Sequence, residues 1–284
     1  MQGESELGQE MVDQPQALGR GFDSSAGALR EIWAHRELLY FFAWRDVKVR
    51  YKQTALGVLW AVIQPLLTMV IFTFLFGRLA NLPKDGVPAP VFYFSGLLPW
   101  LYVSVTVSTA AMSLVSNSNM LTKIYFPRVM LPAAAAVSGL IDFAIGSVVL
   151  LGFMLWYHLG FDWTVLLWPV LVVLMTLLAL GAGMFLAALN VKYRDVKYAI
   201  PFAIQIWLFV TPVIYPTSMI PARYQWLLGL NPAGGLIEAF RHALAPAVPM
   251  HWELLGISTL ITVALFVFSF FYFRKTEREM ADII

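Results

Sequence analysis

The chain has 284 residues, of which 60% are hydrophobic and 13% charged, where an ordinary soluble domain carries about 25% charged residues. A water-soluble fold of this size could not hide that much apolar surface, which excludes a soluble enzyme, a disordered protein and a nucleic-acid binder. The formal net charge of +2 is too small to offer nucleic acid a basic face, and the absence of cysteine removes any disulfide framework or thiolate metal site.

Residues 1–27 form a polar, acidic-leaning leader (Glu4, Glu6, Glu10, Asp13, Asp23) with no apolar h-region, so no signal peptide is expected and the leader reads as disordered or surface-lying. Residues 28–54 mix aromatics (Trp33, Phe41, Phe42, Trp44) with charges (Arg30, Glu31, Arg36, Glu37, Arg45, Asp46, Lys48). That stretch is too charged to span and too apolar to float, and a helix lying in the membrane interface accounts for both. Residues 55–284 form the transmembrane domain. The first hydrophobic run, 55–76, is about 33 Å long as a helix, enough to cross a hydrocarbon core of about 30 Å. Runs follow at 91–115, 129–156, 165–189, 199–215 and 254–273, giving six expected helical spans.

Two connections and the distribution of charge carry further signals. Residues 116–128 read SNSNMLTKIYFPR, in which Asn119 can N-cap a short helix with Leu121, Ile124 and Tyr125 on its apolar side. Pro127 ends it, and Arg128 anchors the next span at the lipid surface. Such a helix is either a plain connector or a knob gripped by a cytoplasmic partner. Residues 216–250 hold five prolines, with apolar pieces too short to cross. Two short helices dipping into the outer leaflet and returning fit this pattern, because irregular backbone at that depth must be buried in protein or line a wet cavity. Fifteen of the 19 Lys and Arg residues fall on the side shared by both termini and by the 123–128 and 192–197 loops. The positive-inside rule makes that side cytoplasmic.

The chemistry is read mostly by absence. No phosphate-cradling GxxxxGK[ST] loop is present, so this chain has no ATP site of its own. Ala179, Gly183 and Ala187 recur every four residues, as close helix contacts require. Glu238 and His242 share a helical face and read as a surface pair. Asp142 is the ionisable residue deepest inside a span, and it should find a partner or a helix-to-helix hydrogen bond. Trp44, Trp163 and Trp252 flank spans as interfacial belts. Trp60, Phe72, Trp100, Tyr102, Trp207 and Phe209 fall inside spans. They are either core or lipid-facing, or together they form a stacking track for the apolar faces of sugars.

Residues Asp46 to Lys52 (DVKVRYK), Gln53 to Trp60 (QTALGVLW) and Pro65 resemble the first segment of type-2 ABC exporter permeases for polysaccharides. Lys123 to Arg128 with Leu131 and Pro132, then Asn190 to Val196, then Thr211-Pro212, Tyr215-Pro216 and Asn231-Pro232 resemble later segments of that family in the right order. The resemblance covers roughly residues 30–275. It implies a non-enzymatic half-transporter in the bacterial inner membrane, with both termini cytoplasmic and paired with a second copy of itself. Two copies of a separate P-loop ATPase subunit would bind ATP and Mg, leaving this chain without a cofactor. The implied substrate is a polysaccharide on a polyprenyl-pyrophosphate anchor, with O-antigen exporters nearest and capsule and teichoic-acid exporters as neighbours. Carried over, Ser118, Asn119, Leu121, Thr122, Lys123, Ile124 and Tyr125 form the coupling helix that docks on the ATPase. The interface helix is 28–54, and the periplasmic gate helices are 216–245, with Tyr215, Pro216, Asn231 and Pro232 at the gate. Arg50 and Lys52 are candidate contacts for the lipid diphosphate, or serve as cytoplasmic-side anchors. Two readings outside the family compete: a secondary transporter or channel without ATP, opposed by the single intramembrane carboxylate, and a membrane transferase, opposed by the lack of an acid–base or metal cluster.

Overall fold

A computed structural model of the chain describes residues 34–52, 57–121, 123, 126–160, 162–193, 195–245, 248 and 250–279. The polar leader, the start of the expected interface helix (28–33), residues 53–56, and Thr122, Ile124, Tyr125 and Arg194 lie outside the described residues.

Among the described residues the regular structure is wholly helical, as expected. α1 covers Arg36–Lys52, α2 Trp60–Phe72, α3 Ala89–Ser116, α4 Ser118–Leu121 and α5 Met130–Trp156. α6 covers Trp168–Lys192, α7 Val196–Val210, α8 Ala222–Leu230, α9 Pro232–Leu244 and α10 Trp252–Glu279. A 3₁₀ turn, Gly57–Leu59, leads into α2, and a wide π turn, Thr73–Leu79, extends it. Among the described residues, five stretches are long and apolar enough to cross a membrane: Gly57–Leu79, Ala89–Ser116, Met130–Trp156, Trp163–Lys192 and Trp252–Glu277. The chain is therefore an all-helical, multi-pass integral membrane protein. The sixth expected span is shorter. α7 has 15 residues, about 22 Å of helix, and then the backbone leaves helical geometry at Thr211.

α3 is the heart of the bundle. Residues 91–100 are all buried, as expected of a helix apolar on every side. Its start is set by Pro88 and by Pro90 in the first turn, where a missing N–H costs nothing. The small-residue stripe packs as expected. Ala179 and Ala187 have no exposed surface, and a Cβ on Gly183 would stand 2.6 Å from the Cβ of Ala110 on α3. On the other flank of α6, Gly181 lets the α10 backbone at Phe266 approach to where its own Cβ would be, 3.0 Å away.

A second apolar cluster closes the end of the bundle at which α3 finishes. Phe42 and Ala43 of α1 pack there with Leu114, Phe126, Met130 and Phe273. Tyr40, Phe41 and Trp44 point away and are exposed, so aromatic side chains occupy both sides of α1. α1 does not lie across the bundle end, however. Phe42 meets Phe126 with ring centroids 5.3 Å apart, while Arg50 reaches Asp142, which lies about 18 Å beyond Met130 along α5. α1 thus runs alongside the first half of α5, because a carboxylate inside a span needs a cation and α1 supplies it.

Candidate functional site

Three places in the fold carry polar chemistry, and α3 strings them together over about 40 Å.

The first is the α4 end. α3 stops at Asn117, and the single turn of α4 follows. The backbone carbonyl of Asn117 accepts from the N–H groups of Met120 and Leu121 at 2.9 and 3.1 Å. The turn therefore starts on Asn117, and the expected cap, Asn119, lies inside it. The reason is that the Asn117 side chain is already committed. Its Nδ2 donates to the Ser113 carbonyl at 2.8 Å, and its Oδ1 accepts from Arg45 Nη1 of α1 at 3.0 Å. Ser118 and Leu121 are half-buried, whereas Asn119 and Lys123 are exposed. At the far side of the segment, the Arg128 backbone N–H donates to Glu277 Oε1 at 2.9 Å, and Arg128 Nη1 donates to the Glu277 carbonyl at 3.2 Å. Arg128 thus binds the end of α10, where a lipid-surface anchor was expected. Lys192 at the end of α6 pairs with Glu279 at 2.6 Å. Asn117, just before α4, is thus tied to α1, and Arg128, just before α5, to the last turns of α10. No sequence pattern pointed to Arg45, Glu277 or Glu279, because their partners are distant in the chain.

The second place is mid-bundle. Arg50 Nη1 and Tyr51 Oη donate to the two carboxylate oxygens of Asp142. The helix-to-helix role expected of Asp142 is met, and Arg50 is occupied by it in this conformation; Lys52 is exposed. Asp142 also walls a cleft between α2, α3 and α5 that Trp60, Gln64, Tyr102 and Phe143 line.

The six candidate track aromatics do not form one stripe. Trp60 and Phe209 are exposed on α2 and α7. Phe72 is half-buried, edge-on to Tyr93 at 6.4 Å. Trp100 and Tyr102 are buried, with Tyr102 only edging the cleft beside Asp142, so the two do not offer a continuous stacking face in this conformation, which corrects their assignment to a track. The cause is polar and aromatic pairing within one chain. Tyr102 Oη sits 2.8 Å from Thr176 Oγ1, and Trp100 lies edge-on to Trp207 at 5.5 Å.

The third place is the end at which α8 and α9 lie. The two short helices expected within 216–245 are present as α8 and α9. Pro232 opens α9, and Asn231 caps it, accepting from the Ala233 N–H at 3.2 Å. Asn231 also accepts from Trp207 Nε1 at 2.8 Å and donates to Thr211 Oγ1 at 2.9 Å, joining the end of α7 to the start of α9. Pro216 is buried, and Tyr215 Oη donates back to the Val210 carbonyl at 3.2 Å. The expected Glu238–His242 surface pair is not formed. Glu238 is buried and accepts from Thr217 Oγ1 at 2.5 Å, with His251 Nδ1 at 3.4 Å. His242 Nδ1 instead lies 2.5 Å from the Val248 carbonyl. Burial raises the Glu238 carboxyl above its ordinary value, opposed by Thr217, His251 and Arg241. Arg241 is wholly buried and is pushed down to about 10 by that burial. Both were missed as site residues. The available signal was a Glu and an Arg three apart in an apolar run of 13 residues.

The sequence profile of the ABC-2 type transporter family matches residues 37–245. The O-antigen export system permease protein RfbA of Myxococcus xanthus is 31% identical over 264 residues, covering 90% of this chain and 98% of that protein. The protein of the same name from Klebsiella pneumoniae is 25% identical, covering 87% and 95%. The polysialic acid transport protein KpsM of Escherichia coli is 22% identical, covering 83% and 92%.

Proposed function

The chain belongs to the ABC-2 type transporter family, and from that premise we propose that it is the membrane subunit of an ATP-driven polysaccharide exporter, moving a polyprenyl-pyrophosphate-linked polymer, O-antigen in the first instance, from cytoplasm to periplasm across the bacterial inner membrane. The observation that carries this reading is the end-to-end likeness to permeases named for O-antigen export. The likeness to a polysialic acid transport protein keeps a capsule polymer as the second reading.

The α4 end supports a docking role for residues 118–125. It presents Asn119 and Lys123 to solvent and is tied at both sides into the spanning helices. A P-loop ATPase subunit bound there would hold ATP and Mg and would push on α3 and α5 directly, and on α1 and α10 through Arg45 and Glu277. In this reading the α4 end and both termini are cytoplasmic, and the α8–α9 end is periplasmic. A second copy of the chain is supported by the stretch Gly57–Leu79, which is hardly buried within one chain, and by the exposed Phe202, Ile206 and Phe209 of α7. Arg50 can meet a lipid diphosphate only by leaving Asp142, whereas Lys52 is already open to one.

The test is a deletion strain. Loss of this chain should leave lipid-linked polymer in the cytoplasm, and its sugar composition separates O-antigen from capsule. Tagged protein should retain a P-loop ATPase through detergent extraction. Normal surface polymer in the deletion strain, with no accumulated lipid-linked intermediate, would reject the reading.

A further inference from the structure

The stretch from Thr211 to Thr217 links α7 to the one-turn helix Thr217–Met219 and is not helical itself. Thr211, Val213, Ile214 and Thr217 are nevertheless all buried. Buried irregular backbone carries carbonyls that need donors, and the two prolines here, Pro212 and Pro216, prevent a helix from supplying them.

Arg241 of α9 supplies them. Its Nη2 donates to the carbonyls of Pro212 and Val213, each at 3.1 Å. The guanidinium lies over the ring of Phe92, 4.0 Å from its centroid, an arrangement favourable to a desolvated cation. The room for it comes from Gly96, where a Cβ would stand 2.4 Å from Nη2. The Nε of Arg241 is buried without a hydrogen-bond partner. One turn earlier on α9, Glu238 accepts from Thr217 Oγ1, at the other end of the same stretch. α9 therefore grips both ends of residues 211–217 with two buried charged side chains.

A contact meant only to fill space would be better served by Met or Leu, because burying a cation against neutral carbonyls carries a large desolvation cost. A charged contact has a different merit. When it opens, water satisfies the guanidinium, the carboxylate and the carbonyls alike, whereas separated apolar surfaces gain nothing from water. We propose that Arg241 and Glu238 are the positioning residues of the outer gate: they clamp the 211–217 segment in its closed place and release it when polymer passes. This rests on reading residues 216–245 as the gate.

The chain contains no cysteine, so single reporters are clean. Val213→Cys reports the clamped segment and Ala179→Cys the bundle core; both positions have no exposed surface. The complex with its ATPase, in sealed vesicles without nucleotide, is treated with an impermeant thiol reagent on the periplasmic face. Arg241→Gln should raise labelling at residue 213 by about tenfold or more, the loss of one charged hydrogen bond, with residue 179 unchanged. Arg241→Lys, which keeps the charge but is too short to place a nitrogen where Nη2 stands, should do the same. Glu238→Gln, which keeps an acceptor for Thr217, should raise it less. Unchanged labelling at 213 in both Arg241 variants would overturn the clamp. A parallel rise at 213 and 179 would also overturn it, assigning Arg241 to folding alone. Labelling is read without substrate, so its failure leaves the exporter reading standing, and a failed export assay leaves the clamp standing.

Discussion

Removing Asp142 tests whether α1 is tied to the bundle or merely rests on it. The Asp142 and Arg50 side chains are 27% and 29% exposed, so the pair is neither a surface pair nor a dry one. Breaking a buried pair by deleting one partner costs about 3–5 kcal/mol, and an exposed pair is worth about 0.2–1 kcal/mol. With roughly a quarter of each side chain open, Asp142→Ala should cost about 2–3 kcal/mol, since Tyr51 loses its acceptor as well. Arg50→Ala should cost about the same, because it strands the carboxylate. The double variant should be little worse than either single one, giving a coupling energy of about 2–3 kcal/mol. Reversible unfolding in mixed micelles measures all four corners of the cycle. A coupling below about 0.5 kcal/mol would refute the argument that this contact holds α1 along α5.

Single cysteines at residues 123 and 194 should resist an impermeant reagent applied to intact cells if the orientation expected from the excess of Lys and Arg holds; labelling from outside would invert the topology. Leu121→Asp and Lys123→Glu should still insert but lower export by about tenfold or more while ATP hydrolysis by the complex persists, and full export by both would make residues 118–125 a plain connector. The Glu238 carboxyl is held above 4.5 by burial, so the folded state binds its proton more tightly than the unfolded chain. The resulting stability is full below 4.5 and is lost as pH rises through the raised value; Glu238→Gln should lack this slope in thermal unfolding, and equal slopes would contradict the assignment. Cysteines at Val70 of α2 and Phe209 of α7, both exposed within one chain, should crosslink two copies and block export, whereas Val148 of α5, equally exposed, should not. Crosslinking through Val148 alone would move the interface.

The spanning helices were legible because burial in lipid is a one-dimensional property: 20 apolar residues in a row leave few alternatives. The α6 stripe was legible for a similar reason, since Ala179, Gly183 and Ala187 lie on one face whatever the neighbour. α7 was over-read. Its apolar run extends to Tyr215, but Pro212 and Pro216 end the helix before the run ends, and composition alone does not see that. The aromatic track was over-read in another way. Trp100 and Tyr102 have the composition of a sugar platform, yet Trp207 and Thr176 on other helices already occupy their faces and edges.

Arg241 shows what sequence reading lacked. The sequence reading counted it only as one of the four Lys and Arg residues on the outer side, although it is wholly buried. The deciding question is where the backbone carbonyls of residues 211–217 find donors. Two prolines within five residues forbid a helix there, and burial forbids water. A donor side chain from a neighbouring element remains as a source, and one nitrogen that donates twice serves both carbonyls. Arginine is that side chain, and in the apolar α9 only position 241 carries one. Gly96 could then be understood as well. It sits in the most buried stretch of α3 not to admit another helix but to leave space for the guanidinium. Pro212 and Pro216 were visible in the sequence, but the burial that makes their neighbours' carbonyls need a side-chain donor was not.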